Sequence, residues 1–276
     1  MIVRHTVLVK LLPTLIVAMC IASGAWAQTT PPPGAAPPAA SASQTQQPGA
    51  QNGENKPAQL SERERAAQEL KQQEKQRILG VVPNFNTTDV QNAAPLSPSQ
   101  KFHLMFRSAA DPFQFVASGL DAGLSQAEND FAGYGQGAQG YFKRFGAAYA
   151  DQFDGLLWGN AILPILLHED PRYFRQGTGS FKKRLWYAIS TTVITKNDNG
   201  TRGPNYANVL GNIVAGGIAN AYYPSTDRGL GLTFQRAFTV TAEGAIGAVF
   251  VEFWPDINRY LHRHRAQTGA PEPASK

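Results

Sequence analysis

The chain has 276 residues, 25 Lys plus Arg against 20 Asp plus Glu, a net charge of +5 and a single cysteine. One cysteine excludes a disulfide framework and a cysteine-built metal centre. The small positive excess, with signs interspersed, lacks the dense basic face that nucleic-acid binding requires, so no nucleic-acid partner is expected.

Residues 1–27 have the order of a secretory signal peptide. Arg4, His5 and Lys10 precede an uncharged, mostly apolar run from Leu11 to Gly24, and Ala25-Trp26-Ala27 supplies small residues before a cleavage point at Gln28. The run is shorter than the roughly 20 residues a span needs. The expectation is an exported protein of the periplasm or outer envelope, mature from near Gln28. Cys20 lies inside the leader; Met19 before it is too large for the usual lipid-acceptor site, so a lipid anchor is not expected. Residues 28–60 are mostly Pro, Ala, Gln, Gly, Ser and Thr, with little to bury, and read as a disordered linker. From 61 to 79, Glu and Lys or Arg at helical spacing predict a solvated charged helix. Residues 80–96 read as a connector carrying Pro83 and Pro95.

Residues 97–262 are the folded domain, followed by a disordered tail over 263–276. Ser97-Pro98-Ser99-Gln100 has the form of a capped helix start, and Asp111-Pro112 looks like another. Phe113, Val116, Leu120, Leu124, Ala127 and Phe131 then share one face. Tyr134 to Leu167 continues helically, ending near Pro164, and Phe181 to Val193 forms a further helix. Lys196 to Gly200 turns the chain. Tyr206 to Tyr222 and Thr233 to Phe253 make two more helices, the last broken by Pro255. Thr191 to Thr195 could equally be a strand. The fold class is all-α: a compact bundle of about five to six helices rich in Gly and Ala packing faces, behind a disordered N-terminal region.

These helices carry small residues at regular spacing. Gly211, Ala215 and Ala219 recur every four residues, and Asn208, Asn212, Gly216 and Asn220 form the neighbouring stripe. An interior glycine costs a helix about 1 kcal/mol relative to alanine. Close backbone approach, with asparagines hydrogen-bonding across the seam, is the compensation available. Gly203 to Thr226 has no charge, and Thr233 to Trp254 holds only Arg236, Glu243 and Glu252. Four asparagines in the first and the charges in the second favour packing near or partly in a membrane over a free span.

His168-Glu169-Asp170-Pro171-Arg172 is the densest cluster of chemistry-bearing side chains. His168 as general base, Glu169 or Asp170 orienting it and Arg172 holding an anion would make a hydrolase of envelope lipid or glycan. The structural alternative makes Asp170 a cap, Pro171 the first position of a turn and Arg172 a corner brace. Asp111-Pro112 repeats the capping part without a histidine. No metal is expected, because His103 is isolated and His262 and His264 are flanked by arginines. No cofactor is expected either, since neither a phosphate loop nor a dinucleotide fingerprint occurs.

The segments His168 to Phe174, Ala219 to Pro224 and Glu252 to Ile257 resemble an uncharacterised family of secreted bacterial envelope proteins, over about Ser97 to Tyr260. That resemblance implies no activity and no catalytic residue. Phosphatidic-acid-phosphatase-type membrane enzymes are excluded, because their P-S-G-H and S-R-x5-H segments are missing. The sequence therefore predicts a non-enzymatic envelope bundle associating with a membrane surface, an envelope component or copies of itself as a homo-oligomer, the hydrolase being the alternative.

Overall fold

The computed structural model describes residues 61–78 and 80–268, with side chains to residue 260. The signal peptide, the 28–60 linker and the end of the tail lie outside the described residues. The fold is all-α, a helical bundle carrying a few very short strands.

Helix α1 (Glu62–Gln73) starts at a capping box in which Ser61 and Glu64 exchange hydrogen bonds. Its surroundings differ from the expected solvated helix. Ala66 and Leu70, one turn apart, are buried, and Leu70 packs with Phe85, Leu96 and Leu104. The expected connector is likewise part of the core. It contains β2 (Val82–Pro83), which pairs with β1 (Arg77–Ile78) at the end of the stretch expected to be helical, then β3 (Thr87–Thr88), and Phe85 between β2 and β3 is 2% exposed. The sparse apolar residues of 61–96 suffice because the domain supplies the other half of their pocket.

Helix α2 (Pro98–Ala109) begins at the Ser97–Gln100 capping box, and α3 (Pro112–Ala127) at Asp111, whose carboxylate accepts from the Phe113 N–H. The spacing carried α3 to Phe131, but the helix stops at Ala127. Asn129 and Phe131 take left-handed backbone angles, and the buried Arg144 guanidinium donates to the carbonyls of Asp130, Phe131 and Gly135. Helix α4 (Gly137–Leu156) runs on through a π-turn (Leu157–Ile162) into α5 (Leu163–Leu166). Pro164 has no N–H to give, and the Leu163 N–H reaches back five residues to the Trp158 carbonyl.

After β4 (Tyr173–Phe174), which pairs with β3, come α6 (Phe181–Ser190), the hairpin β5 (Ile194–Lys196)–β6 (Arg202–Pro204) and α7 (Tyr206–Ala219). Only the end of the ambiguous 191–195 stretch is therefore strand. Helix α8 spans Leu230–Thr268 and continues through Pro255, where a break was expected. There Arg184 Nη2 donates to the Glu252 carbonyl (2.6 Å), next to the Val251 carbonyl that Pro255 leaves without its helical partner.

Helix α3 packs on α4, α4 and the π-turn pack on α7, α7 packs on α8, and α8 packs on α6. Small side chains make the seams. Alanine supplies eleven of the twenty buried hydrophobic residues described, whereas Phe115, Val116 and Leu120 on α3, Leu210 and Ile218 on α7, and Phe234, Phe238, Val240 and Ile246 on α8 are exposed.

Candidate functional site

The His168 cluster opens out rather than converging. His168 itself has φ 56°, and this left-handed step between α5 and the 169–172 turn leaves its ring exposed. Glu169 and Asp170 are buried, at 3% and 4% exposure. Glu169 turns to the start of α7, where its two oxygens accept the N–H groups of Tyr206 (3.1 Å) and Ala207 (3.0 Å). Those N–H groups have no partner within the helix, and a carboxylate there also meets the positive end of the helix dipole. Burial nonetheless raises the Glu169 pKa above its ordinary value, with the Ala207 and Tyr206 N–H groups and Lys101 opposing.

Asp170 turns the other way and holds Arg172 through three bonds: the backbone N–H at 3.0 Å, Nε at 2.9 Å and Nη2 at 2.7 Å. Arg172 also donates to the Ala94 carbonyl, tying the 80–96 segment to the turn. Beneath them lies Lys101, 1% exposed. Its ammonium donates to the Pro164 and Glu169 carbonyls and to both oxygens of Asp198, the shorter at 2.7 Å. A second knot centres on Glu252, which is wholly buried and accepts from Tyr173 Oη, the Gln176 and Gly177 N–H groups and Arg184 Nε. Burial and the neighbouring Glu252 carboxylate push the Tyr173 hydroxyl well above its usual range.

A cleft of about 620 Å³ adjoins these knots. Part of its polar wall is taken up by internal bonding: Asn205 and Asn208 donate to the Thr191 and Thr192 carbonyls, Thr195 to the Asp170 carbonyl and Tyr187 to the Phe174 carbonyl, while Arg172 Nη1 and Asn86 Oδ1 have no hydrogen-bond partner. Such an arrangement braces a corner.

The packing stripe of α7 occupies its seams. A Cβ on Gly211 would lie 2.9 Å from Gly159 Cα in the π-turn, and one on Gly216 would lie 2.9 Å from the Thr233 carbonyl on α8. Asn208 reaches the strand side as described, Asn212 donates to Thr241 Oγ1 (2.9 Å), and Asn220 donates to Thr233 Oγ1 (2.7 Å). Ala219 is buried against Ala147, Tyr134 and Tyr223, while Ala215 is half-buried.

A third polar centre, unforeseen from the sequence, lies where α4 meets the end of α7. Asp151 accepts from both Tyr222 and Tyr223 hydroxyls at 2.6 Å, Tyr134 Oη donates to the Tyr222 carbonyl, and Arg236 stacks 4.1 Å from the Tyr223 ring centroid. Burial raises the Asp151 pKa against the pull of the two tyrosine hydroxyls, and burial with the Asp151 charge pushes Tyr134 up to about 12. The signal was present as the Tyr222-Tyr223 pair, but the partner acid lies some seventy residues earlier and no spacing rule links them. Lys101 and Arg144 were missed for another reason: each sits within an apolar helix face, where a long side chain is usually read as reaching out to water. Among the described residues, no group of three or more His, Cys, Asp or Glu could hold a metal ion. No protein-family profile, curated protein or solved structure matches this chain.

Proposed function

We propose that this protein is a non-enzymatic helical bundle of the cell envelope that associates with a lipid membrane through the outward faces of α3, α7 and α8. The observation that carries this reading is the inverted distribution of side-chain size. Gly211, Gly216, Ala219 and Ala237 make the close contacts of α7 and α8, while Phe115, Val116 and Leu120 on α3, Leu210 and Ile218 on α7 and Phe234, Phe238, Val240 and Ile246 on α8 face outward. A water-soluble bundle gains its stability by the opposite arrangement, whereas helices in lipid need only close contact with one another. The magnitude is large. Seven large apolar residues on α8 are exposed, from Leu230 to Tyr260. At about 1.5–3 kcal/mol each, they forgo on the order of 10 kcal/mol of burial, comparable with the whole stability of a domain.

Helix α8 is also long enough. Its apolar part, Leu230–Tyr260, has 31 residues, and only 11% of its most apolar window is buried. That length is roughly 46 Å, against about 30 Å of hydrocarbon. The interior asparagines, costly in lipid if left alone, are hydrogen-bonded across the seams. The hydrolase alternative draws no support from the exposed ring of His168 or from carboxylates committed to a helix start and to Arg172.

The test is flotation of the full chain with phospholipid vesicles, beside a triple variant Phe234→Ser, Phe238→Ser, Ile246→Ser. The native chain is expected to float and the variant to remain in the dense fraction with an unchanged helical spectrum. A native chain that stays in the dense fraction, monomeric, overturns the reading.

A further inference from the structure

The hollow beside the Asp151 centre has the composition of a site for an amphiphilic anion. It measures about 490 Å³ and lies between α4 and the turn leading to α8. Its floor is the small face of α4: Ala147 is buried, and a Cβ on Gly146 would meet nothing within 4 Å. Tyr222 and Tyr223 form one wall, fixed from behind by Asp151. Lys143 and Arg228 stand at the mouth. Arg228 Nε donates to the Tyr223 carbonyl (2.5 Å), which leaves both Nη groups, like the Lys143 ammonium, without a partner among the described residues.

No acid among the described residues lines the hollow: Asp151 lies behind the two tyrosines, and Asp227 accepts from the Thr226 hydroxyl (2.8 Å). The hollow is thus cationic at its mouth and aromatic on its wall, and Phe142, 67% exposed, opens it toward the apolar exterior. Arg228 stands two residues before Leu230, where the long apolar run of α8 begins. That is the depth at which lipid headgroups would meet the bundle on the membrane reading.

We propose that this hollow seats the phosphate headgroup of an anionic phospholipid, with Lys143 and Arg228 on the phosphate and the Phe142 side left to the acyl chains. The proposal rests on the membrane association argued above. Free phosphate would satisfy the two cations but leave the aromatic and apolar sides of the hollow facing water.

The experiment uses the full chain purified in a neutral detergent, with native mass spectrometry counting retained phosphatidylglycerol against phosphatidylcholine. The native chain is expected to retain one phosphatidylglycerol preferentially. The double variant Lys143→Gln, Arg228→Gln should lose about 25-fold in that preference, roughly five-fold per cation, with an unchanged circular-dichroism spectrum. Lys182→Gln, Lys183→Gln, on α6 at the far end of α8, should retain it. Equal loss in both double variants would mean diffuse surface charge and overturn the site, as would displacement of the lipid by inorganic phosphate. Equal retention of the two lipids by the native chain would also overturn it, while flotation on vesicles would leave the membrane reading standing. A native chain that fails to float on vesicles of either lipid would remove both.

Discussion

Three consecutive side chains, those of His168, Glu169 and Asp170, go to three different places, and a single left-handed residue is the cause. The φ of 56° at His168 ends α5 sharply and swings its ring outward, so Glu169 can reach the start of α7 and Asp170 can turn back to Arg172. The sequence shows the cluster; it does not show the direction of each member, because one dihedral decides that. The capping part was legible. Asp111 holds the Phe113 N–H as Asp-Pro spacing predicts, and Asp170 does the same for the Arg172 N–H. Glu169 offers a test at this scale. Its pKa is raised in the fold, so the folded state binds the proton more readily than the unfolded chain. The stability this contributes is present below the ordinary carboxyl value and is lost as pH rises through the raised one. Denaturant titrations across that window should therefore show the native protein losing stability relative to Glu169→Gln as pH increases. Parallel profiles for the two proteins would contradict the assignment.

At the scale of the element, helix α7 shows how far small residues were interpretable. The four-residue recurrence predicts close approach, and Gly211 and Gly216 meet a neighbouring backbone at distances that leave no room for a Cβ. Periodicity could not tell these from Gly217, which is exposed with open space around it. Two substitutions separate the cases. Gly211→Ala should cost about 1–3 kcal/mol through overpacking against Gly159, whereas Gly217→Ala should gain up to about 1 kcal/mol from helix propensity alone. Thermal unfolding of both in one detergent measures the contrast, and equal shifts would mean that α7 does not pack as described. The element ends were less legible. Pro255 should break a helix on local grounds, yet α8 passes through it, and beside it Arg184 arrives from α6 to hold the Glu252 side chain and carbonyl, a long-range contact invisible to any local rule. The 61–96 segment failed similarly: its composition is too polar for a core of its own, but it borrows Leu104 from α2.

For the whole molecule, the all-α class was readable from periodicity, and so was the small-residue character of the seams. The inverted surface was not, because an amphipathic pattern gives a stripe without saying which side holds the neighbour. On α8, Ala237 is buried and Phe238 beside it is 77% exposed, the reverse of what a hydrophobic-inside reading assigns. Buried ion pairs compensate for the scarcity of large apolar contacts by fixing geometry. Glu252 and Lys101 are buried charges, and removing Arg184 or Asp198 would take away their counter-charge at a cost of several kcal/mol.

The central claim is that α8 presents its large side chains to lipid. Spin labels at Phe238→Cys and Ile246→Cys, in a Cys20→Ser background reconstituted into vesicles, report collision with oxygen, which concentrates in hydrocarbon, and with a water-soluble nickel chelate. The account predicts strong oxygen and weak nickel relaxation at both positions. Strong nickel relaxation, or labels shielded from both, would contradict it.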